Sequence, residues 1–482
     1  MLSKKNVKVI SKVISFVLIA TAMLSVTGCQ NASKEDPNSP KKIVWYYPGK
    51  VQPEQDIVFE AINEKLRAEN NFEIDHRVID SGSYQEKMNM VIASNEAYDV
   101  CFTSNWTNKY LPNVLKKAYA PLQELLDTDA VKLKEALPDF VWNAARFDDD
   151  IYAVPNYQVM FYQPALCVPQ VLYDKYSEYL QDIKEAKDLE PYLEQIKQNE
   201  PKLYPYRIMD AAMWLKYEGI YGAEVGVMMG EPSARVFNPY TTPEYKEHIN
   251  LMSEWFQKGY IRKDIAGVTS DTDDIKNLRY AVWDSQLKPG IEYYDSTGKK
   301  IDMVYIPLGE PYLTNGAGTQ AMTAISASSK DIKSALKMVE IMNTNKEIYN
   351  LLCFGLEGTH YTMENNKVKL TEGSKYSPKT DWEFGNQFNA LIIDTKPDGI
   401  WEETDQKNRD SKPSAAFGFV FNPESVKTEI ANITSVKSEF KYLEQGSENV
   451  EEGYNTFVKK LSDSGIDKVI EETQKQLDAW KN

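Results

Sequence analysis

Cysteine and histidine are scarce in this chain of 482 residues, with four Cys and three His. Thiols at positions 29, 101, 167 and 353 are too few and too widely spaced for a disulfide framework or a zinc site. His76, His248 and His360 are likewise too scattered to propose a metal centre. Basic charge is in deficit, 55 Lys and Arg against 71 Asp and Glu, for a net charge of −16. A nucleic-acid binder needs a basic footprint to neutralise phosphates, so no nucleic-acid partner is expected. No apolar run reaches the roughly 20 residues that span a bilayer. Glycine and proline, 23 of each, stand at ordinary usage, which sets aside collagen-like and low-complexity readings. No internal repeat is found.

The composition is globular, 42% hydrophobic and 26% charged, and the length fits two large lobes or two to three domains. Tyrosine supplies 30 of the aromatic side chains, against 17 Phe and 9 Trp. Its apolar body and polar tip suit both cores and wet binding surfaces. At the start, Lys4, Lys5, Lys8 and Lys12 precede 14 mostly apolar residues, 13–26. That run is too short for a membrane span and has the layout of a signal peptide. It closes on Val26-Thr27-Gly28-Cys29, which resembles the bacterial lipobox. The resemblance implies a lipoprotein signal peptide over residues 1–28 and a diacylglyceryl thioether on Cys29. Two acyl chains meet the need for more than one in stable anchoring. Residues 29–42 hold no large apolar side chain before Ile43 and read as a flexible tether. The expected location is the outer face of the bacterial cytoplasmic membrane, touched through the lipid anchor only. From Cys29 onward the net charge is −20, because residues 1–28 carry four lysines and no acid. Cys101, Cys167 and Cys353 are then expected as buried free thiols.

Beyond the tether the pattern alternates. Ile43 to Tyr47 is a strand stopped by Pro48-Gly49, and Ile57, Val58, Ala61, Ile62 and Leu66 follow at helical spacing. A second strand through Phe72, Ile74, His76 and Val78, a helix through Tyr84, Met88, Val91 and Ile92, and a strand Val100 to Phe102 complete βαβαβ. Single-helix crossovers imply a parallel sheet that presents ligands at the carboxyl ends of its strands. Those ends are Tyr46-Tyr47, Asp80 to Ser83 and Thr103 to Trp106. Ile151 to Tyr157 reads as a strand running into a loop, a plausible crossing between lobes. Residues 171–200 read as mostly helical with Pro191 opening a new helix, and Tyr245 to Lys258 as a helix ended by Gly259. A strand over 303–307, a helix after Asp331, and C-terminal helices through 430–443 and 466–477 follow.

Four blocks in the C-terminal third carry a family resemblance. Phe354-Gly355-Leu356-Glu357-Gly358-Thr359-His360-Tyr361 resembles a signature of extracellular solute-binding proteins with a DUF3502 C-terminal region. Trp382 to Phe388, the run from Phe417 to Asn432, and Gln474 to Trp480 resemble that group's later blocks. The resemblance implies an α/β, two-lobed periplasmic-binding-protein-like fold of type II, with the ligand cleft between lobes. Residues 43–155 with about 287–345 would form the first lobe, and 156–286 with about 346–482 the second. It implies a monomeric receptor that captures a solute, with a saccharide expected, and delivers it to the permease subunits of an ABC importer. It implies no catalytic residue, cofactor or metal.

A sugar offers C–H faces that pack on rings and hydroxyls that need donors and acceptors. Asn105-Trp106, Asn156-Tyr157 and Trp283-Asp284 pair a ring with a polar partner and are the leading candidates, each readable also as core. Tyr47 and Trp214 are weaker. Glu357 and His360 lie in the family signature, where the flanking glycines point to a tight turn and His360 to a structural role. Asn386 and Gln387 have suitable amides but could equally cap a turn. Gly316-Ala317-Gly318-Thr319-Gln320-Ala321 matches a dinucleotide fingerprint, yet Met322 to Ser326 after it reads as extended where that motif needs a helix. Asp271-Thr272-Asp273-Asp274 starts like a calcium loop and fails at Ile275 and Lys276. The rivals are an exported lipoprotein glycoside hydrolase, which needs two carboxylates about 5–10 Å apart, and an oligopeptide-binding receptor.

Overall fold

The computed structural model describes residues 39–291, 302–446 and 450–481. The signal segment, Cys29 and most of the tether lie outside the described residues.

The first lobe is built on the expected βαβαβ unit. Strand β1 (Lys41–Pro48) is buried on both faces from Trp45 onward, as the centre of a covered sheet requires. Helix α1 (Gln55–Asn70) buries Val58, Phe59, Ile62 and Leu66, one apolar stripe at helical spacing, and stops at Asn71 in the left-handed region, φ 54°. Strand β2 (Phe72–Ile79) lies parallel to β1, with Lys41 opposite Phe72. Helix α2 (Tyr84–Ser94) returns the chain to β3 (Val100–Thr103), parallel to β1 on its other side. Two antiparallel strands from distant sequence complete the sheet. Met322–Ile325 pairs with β3, and Ala153–Pro155 pairs with Met322–Ile325. The segment after the glycine-rich motif is therefore a strand, which rules out the dinucleotide reading. Gly318 serves close packing instead: a Cβ there would stand 2.4 Å from that of Ala144.

The second lobe has two cores. Pro164–Pro169, fully buried, is the central strand between Trp283–Gln286 and Met303–Pro307, both antiparallel to it. Leu166, Val168, Leu193, Ile196 and Trp255 belong to the core on this sheet. Ile433, Phe457, Leu461, Val469 and Leu477 form a helical core from Lys427–Glu439, Val450–Asp463 and Ile466–Lys481. The helix Pro243–Lys258 sends Tyr245 and Ile249 into the helical core and Met252 and Trp255 into the other. Its bounds are chemical: the Thr242 hydroxyl accepts the Tyr245 N–H at 3.1 Å, and Gly259 ends it at φ 74°. Pro191 stands in the first turn of Glu190–Asn199, as the sequence indicated.

Part of the chain after residue 345 packs with the core of β1–β3. Ile348, Tyr349, Leu352, Tyr376, Phe384 and Ala390 lie in that core, and Trp401 packs against it. The reason is packing: the helices Ile332–Thr344 and Lys346–Phe354 run on from the first-lobe strand Met322–Ile325 and bury their apolar faces in that core. The crossings fall near 161–165, 308–313 and 411–416. Cys101, Cys167 and Cys353 are buried free thiols. Among the described residues, no helix is long and apolar enough to cross a membrane.

Candidate functional site

The three crossings meet in a small ribbon. Phe161–Tyr162 is antiparallel to Tyr312–Leu313, which is parallel to Lys412–Pro413. Beside this ribbon, where both cores of the second lobe approach the first, lies a cavity of about 450 Å³. Tyr162, Tyr217, Tyr221, Tyr240 and Tyr312 wall it. The Tyr162 and Tyr312 rings meet edge to face, centroids 5.6 Å apart. Burial, with the charges of Asp284 and Asp210, pushes the Tyr162 hydroxyl up to about 12. Phenols in this state keep their proton and can both donate and accept.

Local structure explains where these rings stand. Tyr217–Gly219 pairs with Gly226–Met228 in a hairpin, and Tyr221 sits in its turn, 52% exposed. The Tyr221 ring lies on Gly316. A Cβ at Gly316 would fall 2.1 Å from Tyr221 Cε2 and 2.9 Å from the Asn105 amide nitrogen. The hairpin of the second lobe, the returning chain and the first-lobe loop after β3 thus converge at one point.

Glu218, on the same hairpin, is the buried acid of the cavity. Its Oε2 accepts the Asn315 N–H at 3.0 Å, and its Oε1 accepts the Ser414 hydroxyl. Burial raises its carboxyl to about 7. Asn315 and Ser414 belong to two of the crossing segments, so this carboxyl ties the hairpin to the ribbon. Asn315 is only 4% exposed, yet among the described residues its side-chain oxygen has no hydrogen-bond partner. Two more acids line the cavity. Asp210 caps the short helix Ala211–Leu215 by accepting the Ala212 N–H at 2.9 Å, and Glu224 is ion-paired with Lys437.

Of the residues singled out from sequence, Asn105 and Trp106 are not in the cavity lining but bond to the segment that carries it, Asn105 donating to the Gly316 carbonyl at 3.2 Å. Trp106 is 50% exposed, and its indole N–H donates to the Gln320 carbonyl at 2.8 Å; Gln320 lines the cavity. Its ring is 6.3 Å from Trp382 and 6.0 Å from Phe102. Asp284 pairs with Arg207 at 2.6 Å, on the strand face it shares with cavity-lining Gln286. Trp283 projects to the opposite face of that strand, away from the cavity.

Four other candidate positions lie outside the cavity lining. Tyr47 is core, packed against Phe59 and Phe384, and its hydroxyl is pushed well above the ordinary range by burial. Asn156 is buried and its amide is fully engaged: it donates to the Glu383 carbonyl at 2.7 Å and accepts the Thr323 hydroxyl at 3.0 Å. The buried Tyr157 hydroxyl is held by Asp405. Glu357 is exposed on a turn with Gly355 at φ 76° and Gly358 at φ 80°, outside the cavity lining. His360 anchors that turn, accepting the Leu356 N–H at 2.9 Å and meeting Glu54 at 3.1 Å, the structural role expected of it. Asn386 caps its own turn by accepting the Phe388 N–H. Trp214 lies in the core with its N–H toward Tyr206. Asp271 is ion-paired with Arg207, and among the described residues no cluster of His, Cys, Asp or Glu is arranged to hold a metal ion.

Sequence reasoning missed Glu218, Asn315 and all five tyrosines of the cavity. The tyrosine excess was the only available signal, and it carries no address.

The DUF3502 model, a domain of unknown function, matches residues 415–482 and begins where the chain leaves the ribbon. A carbohydrate ABC transporter substrate-binding protein of Streptococcus pneumoniae serotype 4 is 26% identical over 481 residues, 97% of this chain and 96% of that protein. The polygalacturonan/rhamnogalacturonan-binding protein YtcQ of Bacillus subtilis is 26% identical over 194 residues, 36% of this chain and 38% of its own length. In a crystal structure, the N-glycan transport solute binding protein NgtS of S. pneumoniae superposes with a TM-score of 0.80 at 26% identity, covering 91% of this chain and 98% of that one. Its complex with Man1GlcNAc gives 0.73. The two-lobed fold is that of the solute-binding proteins.

Proposed function

Given homology along nearly its full length to a carbohydrate ABC transporter substrate-binding protein, and a DUF3502 region at its C-terminus, we propose that this chain is the saccharide receptor of an ABC importer. The observation that carries the reading is the cavity at the ribbon where the lobes meet, walled by five tyrosine rings with buried amide and carboxyl groups between them. Rings accept the C–H faces of a pyranose, and phenol, amide and carboxyl oxygens match its hydroxyls. Asn105 and Trp106 close the site from the first lobe, with Asp284 beside it. The relative NgtS, crystallised with Man1GlcNAc and Man5GlcNAc, supports oligosaccharide size. The receptor acts as a monomer, closes by rotation about the ribbon, and presents the closed form to the permease. Cys29 carries the lipid that holds it at the outer face of the membrane. Cys29→Ala is expected to release the protein from the membrane fraction; unchanged fractionation would contradict lipidation.

Catalysis is not part of this reading. A glycosidase needs one free acid and one free base or nucleophile. Here Asp210 is occupied as a helix cap, and Glu218 by Asn315 and Ser414. The test is calorimetric titration and thermal shift with neutral oligosaccharides, including mannose–N-acetylglucosamine chains, beside a peptide panel. Binding stabilises by RT ln(1 + [L]/Kd), about 2.7 kcal/mol at roughly 100-fold excess over Kd. Shifts from peptides alone would overturn the saccharide reading, and shortened chains after incubation would favour a hydrolase.

A further inference from the structure

The charges around the cavity are unevenly distributed. Asp210, Glu218 and Glu224 line it, and among the described residues Lys437 is the single base of its lining. The Lys437 ammonium is already committed to Glu224. Arg207, which pairs with Asp284 on the strand of cavity-lining Gln286, is held between Asp271 and Asp284, at 2.5 and 2.6 Å. Neither cation is therefore left to receive an acidic ligand. The unpartnered groups point the same way. The Asn315 side-chain oxygen, buried and without a partner, is an acceptor that calls for a hydroxyl or N–H donor. A carboxylate has no proton to give it. Its charge would also stand desolvated beside Asp210 and Glu218, and like charges brought together in a partly buried site are costly.

We propose that this cavity selects an uncharged, hydroxyl-rich saccharide unit and rejects its uronate counterpart, with Glu218 and Asn315 as the specificity-determining residues. The inference rests on the saccharide reading and sharpens it. It separates this chain from a receptor for acidic polysaccharide such as polygalacturonan, the polymer in the name of one partial relative. Glu218 has two roles here. Once ionised it repels an incoming carboxylate, and by accepting the Asn315 backbone N–H it ties the Asn315 segment to the cavity wall. Rejection is thus achieved by a repulsive element as well as by missing attraction.

The experiment is a pairwise titration of the purified protein with neutral oligosaccharides and the same oligosaccharides carrying a terminal uronate, at one ionic strength and at a pH well above about 7, where Glu218 is ionised. The expected result is binding of the neutral member and a loss of roughly ten-fold or more for the uronate. Glu218→Gln keeps the shape and removes the charge, so the gap between the pair should narrow in that variant. Asp210→Asn, which keeps an oxygen for the helix cap, tests the same point should Glu218→Gln fail to fold. Equal affinity for both members, or tighter binding of the uronate, would overturn the selectivity while leaving the saccharide reading intact. No binding by either member, with peptides bound instead, would overturn both. An undiminished gap in folded Glu218→Gln and Asp210→Asn would overturn the assignment to these carboxylates.

Discussion

Trp106 and Glu383 show how differently a single residue can relate to one cleft. Trp106 leaves half its surface in water while its N–H is fixed on Gln320, an unusual state for a ring that burial would stabilise by a few kcal/mol. Such a ring is preorganised for a partner. Trp106→Ala should keep the unliganded melting temperature within a degree or two and weaken saccharide binding by about ten-fold or more, read by calorimetry. Glu383 is the contrary case. It is buried under the carboxyl ends of the strands, one oxygen has no partner, and burial lifts its carboxyl from 4.5 to about 8. Between those values the folded state holds a proton that the unfolded state has released, so stability falls as pH rises from about 4.5 to about 8. Glu383→Gln should therefore be nearly neutral at pH below the unfolded value and stabilising above the folded one, on the order of 5 kcal/mol. Denaturant melts on both sides of that window check it; an equal effect at both ends would contradict it.

Among the elements, the loop from Asp381 to Asn389 links the packing of the first lobe to the cleft. It carries Trp382 toward Trp106, and it is held from below by Asn156 on the Glu383 carbonyl, by the Tyr349 hydroxyl on the Asp381 carbonyl, and by Asn350 on the Asn389 carbonyl. Asn156 therefore acts on the site through this loop. Asn156→Ala leaves buried groups at Glu383 and Thr323 without partners and should cost about 1–3 kcal/mol in urea unfolding. Saccharide affinity should fall only as far as Trp382 is released, so the stability loss is expected to exceed the binding loss. The hairpin carrying Tyr217, Glu218 and Tyr221 plays the corresponding part in the second lobe. Gly316 is the position that lets its Tyr221 reach the returning chain.

For the whole molecule, the controlling feature is that all three crossings form one ribbon of two-residue strands. Few hydrogen bonds resist rotation there, while each lobe is stiffened by its own core. Lobe closure is then the soft motion, and ligand in the cavity biases it. Small-angle scattering should show a smaller radius of gyration once saccharide is added, with circular dichroism unchanged. A radius unaffected by saturating ligand would contradict closure about the ribbon.

Much of the fold was legible in residue order because it is local. The alternation from Ile43 to Phe102, the Gly259 stop, the Pro191 start and the three lone thiols each depend on neighbours a few positions away. Even the strand after Gly316, which excluded a nucleotide site, could be read from five residues. The helix Val450–Asp463 went unread although Val450, Gly453, Phe457 and Leu461 carry its stripe, since glycine hides one of its positions. The lobe boundary near 411 and the cleft were not legible. Tyr162, Glu218, Tyr221 and Tyr312 are separated by up to 150 positions, and their meeting depends on three crossings closing into one ribbon. Sequence by itself determined the class of molecule, through short-range periodicity and recurrent blocks. Tertiary structure alone decided which rings and acids face the cavity, because that depends on long-range packing: it buried Tyr47, Asn156 and Tyr157 and brought Glu218 to the cavity.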